Sequence, residues 1–164
     1  MTFGQLDYEI AQCEKHMDTT KTRTTEIENY LVGYLLVRIC SEYESRIRML
    51  VQKRCGRSRD GHLKKFVHKG AKETTNRFKI SDLSGMLGYF GEDYKKAFSD
   101  AVTEQPANAA WDNIYNNRHL VAHGNGNLQM TFADLKRDYA TSLIVLDEIA
   151  KALCLRPNEL KGLN

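Results

Sequence analysis

Residues 24–54 run without a proline and with one glycine, and Val32, Leu36, Ile39, Cys40, Tyr43, Ile47, Leu50 and Val51 recur along them at steps of three and four. At 100° per residue these side chains fall in a stripe about 120° wide, the signature of one long amphipathic helix. Its first half, Leu31-Val-Gly-Tyr-Leu-Leu-Val37, is apolar on every side. That half is expected at the centre of the core.

The remaining segments also have helical periods. Thr131-x-x-Asp134 resembles a capping box and opens a second long helix through Phe132, Leu135, Tyr139, Leu143, Leu146, Ile149 and Leu153, stopping near Arg156-Pro157. Leu6, Ile10, Cys13 and Met17 mark a first helix, and Pro106 starts another that carries Ala109, Ala110, Trp111, Ile114 and Tyr115 to a stop at Gly124-Asn-Gly126. A charged break at residues 56–61 and short helices at residues 61–69, 81–90 and 92–102 fill the rest. No segment alternates with period two. With 164 residues and only two prolines, the chain is expected to form one domain over residues 1–164, an all-α bundle of four main helices with short extra helices.

Charge is nearly balanced overall, 24 Lys and Arg against 21 Asp and Glu, but its distribution is not. Residues 46–79 hold 12 basic side chains against Asp60 and Glu73, a surplus of ten, which leaves the rest of the chain at 12 against 19. Such a concentrated patch suits a polyanion, although a charge run can also be only a solvated face. Arg46, Arg48, Lys53, Arg54, Arg57, Arg59, Lys64, Lys65 and Lys69 are therefore candidate contacts to a polyanion, which the family resemblance given below implies is RNA. Cys13, Cys40, Cys55 and Cys154 are scattered, with no C-x-x-C pair, and the longest apolar run is far short of a membrane span. Together with a start that lacks a basic, then apolar, leader, this predicts a cytoplasmic protein with no membrane partner.

The chemistry-bearing stretch is Asn116-Asn-Arg118-His119-Leu-Val-Ala-His123-Gly-Asn-Gly126. Arg supplies a permanently charged fork that binds phosphate, and His titrates near neutral pH, the pair needed to cleave a phosphodiester without metal. The two are five residues apart, about 140° around an ideal helix, so they converge only where the helix unwinds. The Gly124-Asn125-Gly126 stop suggests such unwinding. Each residue also has a plainer role available, since Arg and His at a helix C-terminus meet the dipole and cap free carbonyls. His119 and His123 have the spacing of two zinc ligands, but no Glu follows His119 and no Cys or acid nearby completes a set, so no metal and no cofactor is expected. Glu44 lies about 20° outside the apolar stripe, where it faces the site or simply pairs with Arg48 at i+4. Trp111, Tyr115 and the Tyr and Leu stripes are assigned to the core, as is Cys40.

An Arg-x-x-x-x-His motif with a polar residue after the Arg, at the end of a helix preceding the last long helix of an α bundle, resembles the HEPN superfamily. Asn117-Arg-His-Leu-Val-Ala-His-Gly124, with Glu44 in Ser41-Glu-Tyr-Glu-Ser45, is most similar to its RiboL-PSP-HEPN branch, over residues 24–155. The resemblance implies a metal-independent endoribonuclease acting as a homodimer with a composite active site shared across one cleft. It implies catalytic roles for Arg118 and His123, supporting roles for His119 and Asn117, and a positioning role for Glu44, with Glu42 two residues away as the competing assignment. It also suggests a toxin or phage-defence effector with an antitoxin or other defence protein as partner. Some members carry a modifiable Tyr two residues after the motif His; here that position is Asn125. A non-catalytic RNA- or protein-binding adaptor of the same fold is the competing expectation. A DNA-binding regulator fits the basic patch but lacks a helix-turn-helix.

Overall fold

The computed structural model describes residues 2–74, 79–123 and 128–160, apart from the side chains of residues 66, 68, 71–74 and 123. Every regular element among them is helical: α1 (Gly4–Thr20), α2 (Glu26–Cys55), α3 (Gly61–Thr74), α4 (Ile80–Gly88), α5 (Glu92–Val102), α6 (Pro106–His123), α7 (Phe132–Ala152) and α8 (Pro157–Leu160). The four longest are α1, α2, α6 and α7, and the whole is the all-α, HEPN-like bundle that the sequence predicts. Two details differ. α3 extends to Thr74, and Pro157 opens a short helix where it was expected only to end one, because proline's missing N–H is harmless at a first helical position.

Local chemistry fixes the long helices. The Thr25 hydroxyl caps α2 by accepting the Ile27 N–H at 3.3 Å, with Glu26 and Glu28 in the first turn and Lys53 and Arg54 in the last, each sign matched to the helix dipole. α7 starts on the expected capping box: Thr131 Oγ1 accepts the Asp134 N–H at 3.1 Å, and Asp134 Oδ2 accepts the Thr131 N–H at 3.3 Å.

α2 and α7 form the middle of the bundle, α6 lies against both, α5 packs on α7, and α1 and α3 pack on α2. The core is Leu35, Leu36, Ile39, Ile47 and Leu50 of α2 against Phe132, Leu135, Leu146 and Ile149 of α7, all fully buried. At its centre the Tyr43 ring stacks on Trp111 of α6, centroids 4.6 Å apart and planes 10° from parallel. The buried Tyr43 hydroxyl is satisfied by Ser142 Oγ at 2.6 Å. Val32, Leu35 and Leu36 of the apolar run occupy the core as expected, but Tyr34 and Val37 are exposed. The run therefore has one open face, where an apolar sequence alone predicted none.

Candidate active site

α6 carries Trp111, Ile114 and Tyr115 on the face turned to α2, and Arg118, one turn beyond Ile114, continues that face. On α2 the matching positions are Cys40 and Glu44, also one turn apart. The Arg118 charge acts on both: it opposes the rise of the Glu44 carboxyl and of the Cys40 thiol. Burial still dominates each, pushing the Cys40 thiol up to about 12 and holding the Glu44 carboxyl above its ordinary value, with Arg48 adding a second opposing charge at Glu44. Glu44 thus sits half-buried between two arginines. Glu42 is engaged elsewhere, accepting from Arg38 Nη2 at 3.1 Å, so the carboxylate facing the motif is Glu44.

The motif helix does not unwind where the sequence suggested that it should. α6 remains helical through His123, because helix propagation is cooperative and each added residue gains a backbone hydrogen bond. Residue 123 therefore lies about 140° around the axis from residue 118. The His123 side chain, and with it the Gly124-Asn125-Gly126 stop, falls outside the described residues. Asn117 Nδ2 donates to the Asn113 carbonyl at 2.9 Å, while its Oδ1 is buried without a hydrogen-bond partner among the described residues. His119 is exposed.

Beside the motif, α2 and the end of α6 enclose a groove of about 510 Å³ lined by Glu26, Asn29, Tyr30, Gly33, Tyr34, Val37, Val121 and Leu128. Val121 belongs to the motif itself and touches down near Gly33, where an added Cβ would stand 3.6 Å from the valine methyls. Tyr30 is 72% exposed and Tyr34 49%, and with Ile27 and Val37 they form a stripe along the open face of α2. The apolar run that holds Tyr34 and Val37 was expected at the core. Periodicity cannot distinguish a face covered by the chain's own helices from one left for something else.

The basic segment is not uniformly free. Arg46 is a correction: it is 7% exposed, its guanidinium lies 4.6 Å from the Phe3 ring centroid, and burial lowers its pKa, so it packs inward where a backbone contact was expected. Arg48 borders Glu44 with its Nε buried and unpartnered among the described residues. Arg54 lies over the Tyr94 ring, 5.5 Å from its centroid, and donates to the Tyr94 hydroxyl. Lys53 and Arg57 are held by Glu159 of α8. Arg59, Lys64, Lys65 and Lys69 are exposed on and before α3.

Among the described residues, no group of three His, Cys, Asp or Glu side chains is placed to hold a metal ion, and no helix is long and apolar enough to cross a membrane. Compared with known proteins, the chain matches the sequence model of one family, RiboL-PSP-HEPN, over residues 5–155. No curated protein and no solved structure matches it.

Proposed function

The chain belongs to the RiboL-PSP-HEPN family, a membership that supports a HEPN-type, RNA-related role, and from that premise we propose that it is a metal-independent endoribonuclease. The observation that carries this reading is that the Arg118 charge, at the end of the motif helix, acts on the half-buried Glu44 of α2. A carboxylate in that range attracts the guanidinium electrostatically and leaves its fork of donors for a phosphate.

In the proposed reaction the 2′-hydroxyl of one nucleotide attacks the adjacent phosphorus. The 2′-O–P bond forms, the P–O5′ bond breaks, and the products are a 2′,3′-cyclic phosphate and a 5′-hydroxyl. His123 moves a proton as general base or acid, Arg118 holds the phosphate and offsets the charge building on it, and His119 and Asn117 assist or orient. Asn117 Oδ1 offers a desolvated acceptor for that purpose.

The intact helix between Arg118 and His123 favours a composite site. Because positions 118 and 123 lie about 140° apart around the helix axis, a site that draws the arginine from one chain and the histidine from its partner is the arrangement we propose. A two-fold axis beside the motif brings the second copy's residues into the same cleft, and the open stripe of Ile27, Tyr30, Tyr34 and Val37 is the surface such a dimer would cover. The exposed Arg59, Lys64, Lys65 and Lys69 would gather the RNA backbone. We assign the protein to the cytoplasm and to a toxin or phage-defence setting, with an antitoxin or other defence protein as its partner.

The test is cleavage of a labelled RNA in EDTA by the wild type and by Arg118→Ala and His123→Ala. Cyclic-phosphate products from the wild type alone support the proposal. Cleavage that needs an added divalent ion, or that survives both substitutions, defeats it. RNA binding of equal strength in the wild type and the double variant, without cutting, establishes the adaptor instead.

A further inference from the structure

Family resemblance ends at residue 155, yet the next short helix grips the basic segment. Glu159 takes both arms of the Arg57 fork, Nε to Oε1 at 3.0 Å and Nη2 to Oε2 at 2.6 Å. Its own backbone carbonyl accepts from Lys53 Nζ, and the Arg156 N–H donates to Oε2 at 2.8 Å, fixing the carboxylate in place. Arg57 Nη2 also donates to the Cys154 carbonyl at 2.8 Å, so the Nε and Nη2 edge of the guanidinium faces the tail. A two-pronged Arg–carboxylate pair flanked by a lysine has the donor arrangement that a phosphodiester would find. These contacts hold the Glu159 carboxyl down to about 2, so it stays charged at any working pH.

We propose that Arg57 and Lys53 form a phosphate subsite for the RNA backbone and that Glu159 of α8 occupies it as an internal competitor, to be displaced when RNA binds. This rests on the RNA-binding reading above and adds a regulatory element to it. In the free protein the carboxylate engages Arg57 and the Glu159 backbone carbonyl engages Lys53, so affinity is set by the exchange of one carboxylate for one phosphate. The chemistry at Arg118 is untouched by that exchange.

The full-length protein is titrated with a fluorescent, 2′-O-methylated single-stranded oligonucleotide, which binds but lacks the attacking hydroxyl. Glu159→Gln is expected to bind at least threefold tighter than wild type with a salt slope steeper by about one. Glu104→Gln removes the same charge from an exposed position and should stay within twofold. In an Arg57→Ala background, Glu159→Gln should gain nothing beyond what Glu104→Gln gains there. Independently of any substitution, cleavage of the wild type after Glu159 by a glutamate-specific protease should accelerate when the oligonucleotide saturates it. Glu159→Gln binding no tighter than Glu104→Gln, or protection in place of acceleration, overturns the competitor. If Lys64→Ala, Lys65→Ala, Lys69→Ala weakens binding while Glu159→Gln changes nothing, only the competitor fails. If no variant binds the oligonucleotide, the RNA-binding reading fails with it.

Discussion

Glu28, in the first turn of α2, accepts the backbone N–H of Phe132, the first residue of α7, at 2.9 Å across 104 positions of sequence. Its other oxygen accepts the Thr24 N–H at 2.5 Å. Thr24 has a positive φ of 63°, unfavourable for a β-branched residue, and this bond helps to hold it there. One buried carboxylate thus ties the entry of α2 to the entry of α7, just after the chain leaves the motif.

Glu28→Ala leaves the buried Phe132 N–H without its acceptor and frees the exposed Thr24 N–H to solvent, a loss of roughly 2 kcal/mol. For a chain of this size that lowers the melting temperature by several degrees. Calorimetry showing a change under 1 °C would contradict this account.

Arg118→Ala should lower RNA cleavage by about a hundredfold or more with the fold intact, and Arg118→Lys should recover little, since lysine keeps the charge but loses the fork. Single-turnover rates with circular dichroism as a folding control check this. Full rescue by lysine would reduce the role of Arg118 to simple charge.

Glu44 has a carboxyl raised by burial, despite Arg118 and Arg48. A raised folded pKa contributes stability that is present below the ordinary value of 4.5 and is lost as pH rises through the folded value. Glu44→Gln removes that dependence, so the variant should match or exceed wild-type stability at pH 7 while losing activity through a misplaced Arg118. Melting temperatures from pH 4 to 8 beside cleavage rates decide it, and a variant both less stable and fully active contradicts the positioning role.

If the site is composite, mixing inactive Arg118→Ala with inactive His123→Ala protein should restore activity, because the heterodimer holds one cleft with an intact Arg and His. Tyr34→Glu, in the open stripe, should give monomers by light scattering and abolish cleavage. Unmixed and mixed samples of equal, negligible activity would count against a shared site.

Replacing Lys64, Lys65 and Lys69 by Ala should flatten the salt dependence of RNA affinity by about two, at roughly 0.7 per phosphate contact on a single strand. A slope unchanged between 50 and 200 mM salt returns these lysines to the solvated surface.

Much of this architecture was legible because it is local. The Thr131–Asp134 cap, the stripe of α2 and the proline start of α6 are each set by residues within a few positions of one another. Arg118 was legible from its own chemistry, but its association with Glu44 was legible only through the family resemblance, since nothing in the spacing of α2 selects Glu44 over Glu42. Burial of Arg46 escaped notice because a charge count treats all cations alike, and Phe3, which covers it, is 43 residues away in sequence. The open face at Tyr30 and Tyr34 escaped for the opposite reason, as apolar character does not say which surface it meets. Glu159 lay beyond Pro157, read as a terminus.

Trp111 is the sole tryptophan of the chain, and it is 2% exposed and stacked on Tyr43 two turns before Arg118. Its emission is consequently a label already installed between α2 and the motif helix. Any event that slides or tilts α6 changes the ring overlap and the dryness of the indole together, so wavelength and intensity should shift without a dye or a substitution. Stopped-flow fluorescence can therefore time motions of the motif helix separately from the cutting of a strand.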